Sequence, residues 1–226
     1  MALIKTQAAI IEVLAHSPMR KRFYWTGGTL LAEKYLHHRH SYDVDVFTDT
    51  PFRYEEVLPL VQSVKKLVKL RRVEERKVSD RWEFFLHNHQ EVRFEFVHYQ
   101  FPHLKPRKIW QGVLIDSLED LAANKTMALV ERHAPKDAVD IYFLMTKKKF
   151  TPKHLLALAE KKFGLQMHED TFLSEALRAA KQLPEIRPML HGTPRQQEVT
   201  LKKIQDYFSE MSAEFLHKQL QQYDEE

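Results

Sequence analysis

Cysteine is missing from this 226-residue chain, and glycine occurs only five times. The first absence excludes a disulfide scaffold, a thiolate nucleophile and any cysteine-bound zinc or iron–sulfur centre. The second draws attention to the one place where two glycines stand together, because glycine relaxes the limits on backbone geometry. Also missing is an uncharged apolar run of about 18 residues, the length that a membrane-spanning helix needs. Met1 to Ser17 looks apolar at first, but Lys5 and Glu12 interrupt it, where a signal peptide would keep its centre uncharged. Leu3, Ile4, Ile10, Ile11 and Leu14 fall near helical spacing, which predicts an amphipathic first helix and a soluble, cytoplasmic protein without a membrane partner. Neither sign of charge dominates. The 35 basic residues face 31 acidic ones, a balance that permits a polyanionic partner without requiring one.

What is present is the material for a core. Hydrophobic residues make up 43% of the chain and aromatics 11%, which excludes a largely disordered polypeptide. Phe23-Tyr24-Trp25-Thr26 reads as a buried strand stopped by Gly27-Gly28, and the apolar spacing after it places a helix over Thr29–His38. A second short strand, Asp43–Phe47, alternates, with Val44 and Val46 on one face and Asp43 and Asp45 on the other. Tyr54–Leu70 has a helical pattern, and Trp82–His87 with Val92–Tyr99 predicts an antiparallel hairpin. Past Pro106 the alternation stops. Helices are expected over about 118–132, 136–146, 152–163, 169–182, 195–208 and 210–222. Ser117 with Asp120 resembles a capping box, and Thr151-Pro152 offers an N-cap followed by proline at the first helical position. The expected organisation is α+β: a mixed sheet-and-helix core over residues 1–112, then a helical domain over 113–226.

Carboxylates at i and i+2 of a strand project together, so Asp43 and Asp45 can hold one or two Mg²⁺ ions through oxygen. Glu95, flanked by Phe94 and Phe96, is an acid within an apolar run, costly to bury unless paired or metal-bound. It is the candidate third ligand. The Gly27-Gly28-Thr29 turn lets a backbone approach a ligand closely, and the helix after it turns free N–H groups toward a triphosphate. Together these make the set used in two-metal phosphoryl or nucleotidyl transfer. Purely structural alternatives stay open: a polar strand face for Asp43 and Asp45, an ion pair with Arg93 or with a basic helix for Glu95, and bridges from Lys125 and Arg132 to Asp137 or Asp140. His37-His38-Arg39-His40 is not expected to be a metal tract, since consecutive side chains diverge.

Two blocks of sequence resemble a known family. Tyr24-Trp25-Thr26-Gly27-Gly28-Thr29 followed by Arg39-His40-Ser41-Tyr42-Asp43-Val44-Asp45-Val46-Phe47 is similar to the opening motif of the AbiEii/AbiGii toxin family of nucleotidyltransferases. Asn124-Lys125 through Arg132, then Lys136-Asp137-x-x-Asp140-Ile141-Tyr142, resembles its second block. The resemblance implies a polymerase-β-like core followed by helices. It makes Asp43 and Asp45 ligands of a two-metal Mg²⁺ site, with Glu95 as third acid where the family commonly has aspartate. It puts Gly27, Gly28 and Thr29 at the triphosphate of an NTP, with Arg39 and Ser41 supporting the metal loop. Lys125 would neutralise phosphate charge, with Asp137 and Asp140 at the edge of the site. The implied reaction moves a nucleoside monophosphate to an acceptor hydroxyl, with tRNA as an acceptor and a cognate antitoxin as partner. Basic runs at Lys65-Lys66, Lys69, Arg71-Arg72, Arg76-Lys77 and Lys147-Lys148-Lys149 are compatible with a phosphate-rich acceptor. Two other readings share the fold: a non-catalytic RNA- or protein-binding module, and a nucleotidyltransferase acting on a small molecule.

Overall fold

A computed structural model of the chain describes residues 3–224. It contains two compact units, Met1–Leu121 and Ala122–Glu226. The division read from the sequence, after residue 112, falls just ahead of a short strand that pairs within the first unit.

The first unit is a seven-stranded mixed sheet in the order β3-β4-β5-β2-β1-β7-β6. Its strands are β1 (Phe23–Thr26), β2 (Val44–Thr48), β3 (Arg72–Val78), β4 (Arg81–His87), β5 (Val92–His98), β6 (Lys108–Trp110) and β7 (Val113–Ile115). β2 runs parallel to β5 and β1 parallel to β7, while the other pairs are antiparallel. The expected hairpin is β4–β5, held in register from Arg81↔Val97 to Leu86↔Val92.

Alternation sorts the two faces of this sheet. Phe23, Trp25, Val44, Val46, Phe84, Phe94 and Phe96 are essentially buried. Their side chains form one apolar face, tied by edge-on ring contacts such as Phe23–Phe96 at 5.6 Å and Phe84–Phe96 at 6.0 Å. Each such side chain contributes roughly 1.5–3 kcal/mol through burial. Helices α1 (Lys5–His16) and α3 (Tyr54–Val68) pack with the sheet and with each other, burying Ile10, Leu14, Val57, Val61 and Val64. The opposite face carries the charged residues.

Three strands were not legible from pattern. β6 and β7 correct the expectation that strand structure ends near Pro106; at three residues each, they are too short for alternation to register. β3 reads Arg-Val-Glu-Glu-Arg-Lys-Val and is exposed along most of its length. It is an edge strand, where charge opposes unwanted pairing.

In the second unit α4 (Leu118–Arg132, which starts in the first unit), α5 (Pro135–Lys148), α6 (Pro152–Phe163) and α7 (Glu169–Ala180) follow the expected boundaries closely. Thr151 caps α6 by accepting from the His154 N–H at 3.2 Å, and Pro152 opens it. The two helices expected over 195–208 and 210–222 are one, α8 (Pro194–Asp224). No glycine or proline interrupts the join, so the helix runs through, and the Ser209 hydroxyl is satisfied within it by donating to the Gln205 carbonyl at 2.9 Å.

Candidate functional site

The glycine turn and the aspartate strand are matched to each other. Helix α2 (Gly27–Leu30) begins directly at the end of β1 and widens into a π-helical segment, Leu31–Leu36. Gly27 has φ +79°, and a Cβ placed there would overlap the carboxylate of Asp45. Only glycine lets the turn lie against that side chain. The Thr29 hydroxyl donates to the Asp43 carbonyl and lies 3.0 Å from the Ser41 hydroxyl, so the start of the helix holds the entry to β2. Gln7 adds a second restraint, its Nε2 donating to the Ser41 carbonyl at 2.8 Å. Arg39 is almost fully buried and donates to the His40 carbonyl at 2.9 Å.

Register then carries the chemistry sideways across the sheet. Thr26 pairs with Asp45, Asp45 with Glu95, Glu95 with Glu83, and Glu83 with Arg76. Directly paired residues share a face, so three acids stand in a row on adjacent strands. Glu83 and Glu95 are nearly buried, their side chains 4% and 6% exposed, whereas Asp43 at the strand entry is 35% exposed.

Arg93 lies in the middle of this group. Its Nη2 is 2.9 Å from Asp43, 3.5 Å from Glu95 and 3.7 Å from Asp45, and its Nη1 is 3.6 Å from Glu83. Burial works against the charge of the guanidinium, and the four carboxylates outweigh it, raising the pKa further. At the flanks Arg81 reaches Glu95 at 3.0 Å and Arg76 reaches Glu83 at 2.6 Å. On the other side of Asp45, Thr26 donates to Asp116 at 2.7 Å. Arg107 stacks over Tyr24 at 3.5 Å and grips Asp49 with both terminal nitrogens. Burial, then the charge of Asp116, pushes the Tyr24 hydroxyl pKa well up, so Tyr24 stays neutral.

In the second unit Lys125, Asp137 and Asp140 form a cluster of their own. Lys125 Nζ is 2.9 Å from Asp137 and 2.7 Å from Asp140, both fully buried, and Arg132 chelates Asp137 through Nε and Nη2 at 2.7 and 2.9 Å. Burial alone would raise the Asp137 pKa; Lys125 and Arg132 overcome it and hold the carboxyl below its usual range.

Residues 9–223 match the family described as nucleotidyl transferase AbiEii toxin, type IV TA system. The chain belongs to the AbiEii family. It is therefore a nucleotidyltransferase, of a family grouped with toxin–antitoxin systems. Uncharacterized protein aq_aa25 of Aquifex aeolicus is 32% identical over 165 residues, covering 71% of this chain and 76% of that protein. The crystal structure of JHP933 from Helicobacter pylori superposes with a TM-score of 0.59 at 15% identity, covering 97% and 95% of the two chains, a likeness of fold.

The site residues expected from the sequence divide between the two units. Gly27, Thr29, Ser41, Asp43, Asp45 and Glu95 come together at the end of β1 and the start of β2; Lys125 and Asp137 meet each other in the helical unit. Glu83, Arg81 and Asp116 are additions that sequence reasoning did not select, and Arg93 entered it only as a structural ion-pair partner for Glu95, a contact now seen at 3.5 Å. Glu83 carries the signal that singled out Glu95, an acid in the apolar run Trp82-Glu83-Phe84-Phe85. Among the described residues, no group of three or more His, Cys, Asp or Glu side chains is arranged to hold a metal ion. The donor chemistry nevertheless fits a hard divalent cation. The carboxylates offer only oxygen, and the position they surround already holds a positive group.

Proposed function

We propose that this nucleotidyltransferase moves a nucleoside monophosphate from an NTP to an acceptor hydroxyl, with a tRNA 3′ end as the first acceptor to test. The observation that carries this reading is the placement of Asp45, in register with Glu95 and against the Cβ-free surface of Gly27. The acids so stand beside a glycine turn that opens into a helix, which supports a phosphate chain as the ligand of that turn.

Asp43, Asp45 and Glu95 would hold divalent metal, with Mg²⁺ the natural ion for such oxygen donors. When bound, the metal supplies charge stabilisation at the reacting phosphate and lowers the pKa of the attacking oxygen. The chain's own residues do the rest. Gly27 and Gly28 let backbone approach the triphosphate. Thr29 and Ser41 keep the entry to β2 fixed, so that Asp43 and Asp45 point at one place. Glu95 takes the proton from the acceptor hydroxyl. The acceptor oxygen bonds to the α-phosphorus, the bond from that phosphorus to the α,β-bridging oxygen breaks, and pyrophosphate leaves with the electron pair. Lys125 enters the proposal on the family motif, as a neutraliser of phosphate charge, and a cognate antitoxin is the expected protein partner.

The test is to incubate the protein with Mg²⁺, each α-labelled NTP in turn and total tRNA, beside Asp45→Asn. Label moving to RNA with wild type and not with the variant supports the reading. No transfer to RNA or to a small-molecule acceptor with any of the four nucleotides overturns it.

A further inference from the structure

Resting on the metal-site reading above, we infer that Arg93 is a built-in counter-ion occupying the cation position of the acidic cluster, which a divalent metal must displace before it can bind. Arg93 is a positioning residue in this role.

The geometry of its contacts separates this from an ordinary structural ion pair. Two other arginines of the chain each hold one carboxylate with two short, parallel hydrogen bonds. Arg107 grips Asp49 at 2.5 and 2.7 Å, and Arg132 grips Asp137 at 2.7 and 2.9 Å. Arg93 makes one hydrogen bond, to Asp43, and its other three carboxylate partners stand at 3.5–3.7 Å. Its Nε is buried and, among the described residues, has no hydrogen-bond partner. A guanidinium shared among four acids without a fork partner is held by the field of the cluster rather than by fitted bonds. A small ion of higher charge, able to draw the same oxygens to about 2.1 Å, competes well for that place.

Position agrees with exchange. Arg93 precedes Glu95 by two residues on β5, so its side chain shares the face of the acids, and it is 28% exposed. It can turn outward without moving the strand. The four carboxylates need a cation in either condition: together they carry four negative charges within reach of one group, and two of them are nearly buried. Arg93 supplies one positive charge until the metal supplies two.

The decisive measurement is Mn²⁺ binding by electron paramagnetic resonance, on wild type, Arg93→Gln and Arg81→Gln. Arg81 also pairs with Glu95 but lies at the flank, 46% exposed, and controls for a general change in charge. Arg93→Gln is expected to bind Mn²⁺ at least about tenfold more tightly than wild type, since removal of a competing unit charge a few ångströms away is worth that much or more. Arg81→Gln should gain less than about a third of that on a logarithmic scale, because exposed charges are screened. Asp45→Asn in the Arg93→Gln background should abolish the gain. Equal or weaker binding by Arg93→Gln, or an equal gain in Arg81→Gln, overturns the inference.

A second readout needs no variant. Phenylglyoxal modification of wild type, followed by peptide mass spectrometry, should show Arg93 reacting several-fold faster when Mg²⁺ is present, with Arg107 as the unchanged reference. No change in the reactivity of Arg93 overturns the inference even where Arg93→Gln does not fold. If neither wild type nor Arg93→Gln binds Mn²⁺, the metal-site reading fails and takes this one with it. If wild type binds Mn²⁺ and transfers nucleotide while Arg93→Gln gains nothing, only the role of Arg93 is lost.

Discussion

At the scale of single residues, the tightest constraint lies between Gly27 and Asp45. A methyl group at position 27 meets two obstacles: a left-handed backbone with φ +79°, and a carboxylate already in the space. Gly27→Ala is expected to cost about 1–3 kcal/mol in backbone strain alone, read from the urea midpoint, and to lower transfer activity further by pushing Asp45 away. Asp45→Asn is isosteric and should leave that midpoint nearly unchanged. Its transfer rate should fall by about a hundredfold or more, the consequence of losing several kcal/mol of charge stabilisation at the phosphate. A variant that lost stability and activity together would argue for a structural carboxylate. The residues of this turn were legible in sequence because glycine pairs and Asp-x-Asp are rare patterns with local meaning. For Arg93 only the pairing with Glu95 two residues on was legible; its contacts with Asp43, Asp45 and Glu83 depend on which strands lie beside β5.

At the scale of elements, the cluster that joins α4 to α5 makes its own prediction. Lys125 neutralises two fully buried carboxylates. Lys125→Met removes the cation they share and should cost about 3–5 kcal/mol, measured by urea unfolding. Arg132 stays on Asp137 in that variant, which favours the lower part of the range. The same cluster sets a pH dependence. Asp137 has its folded pKa held below the ordinary value of about 3.9. Its contribution to stability is therefore present above that value and is lost as pH falls through the folded one. Wild type should lose stability steeply at the acid end, and Asp137→Asn, less stable at neutral pH, should show a shallower acid limb. Helices of this unit were readable because their apolar period repeats over three or more turns and their ends carry caps, as at Thr151. β3, β6 and β7 were not readable, since a charged edge strand and two three-residue strands contain too little alternation.

At the scale of the whole molecule, no helix among the described residues is long and apolar enough to cross a membrane. The small net charge conceals strong local charge of both signs. Basic runs on α3 and β3 lie in the same unit as the acidic row. If they meet the acceptor, tRNA binding should be steeply salt-dependent. With about four phosphates neutralised, affinity should fall more than tenfold between 50 and 200 mM salt, as read by filter binding. A flat salt response would remove these faces from acceptor binding.

The sequence by itself determined the class of chemistry. Side-chain identity and short-range spacing decide whether a turn can approach phosphate and whether two carboxylates share a strand face, and both are properties of a few adjacent residues. What only the tertiary structure decided is which charges meet. The row Asp45–Glu95–Glu83 and the arginine inside it arise from strand order and register, β4-β5-β2, which bring together positions 43, 83, 93 and 95 across intervening helices and loops. Electrostatic energy depends on distance through space, and that distance cannot be read along the chain.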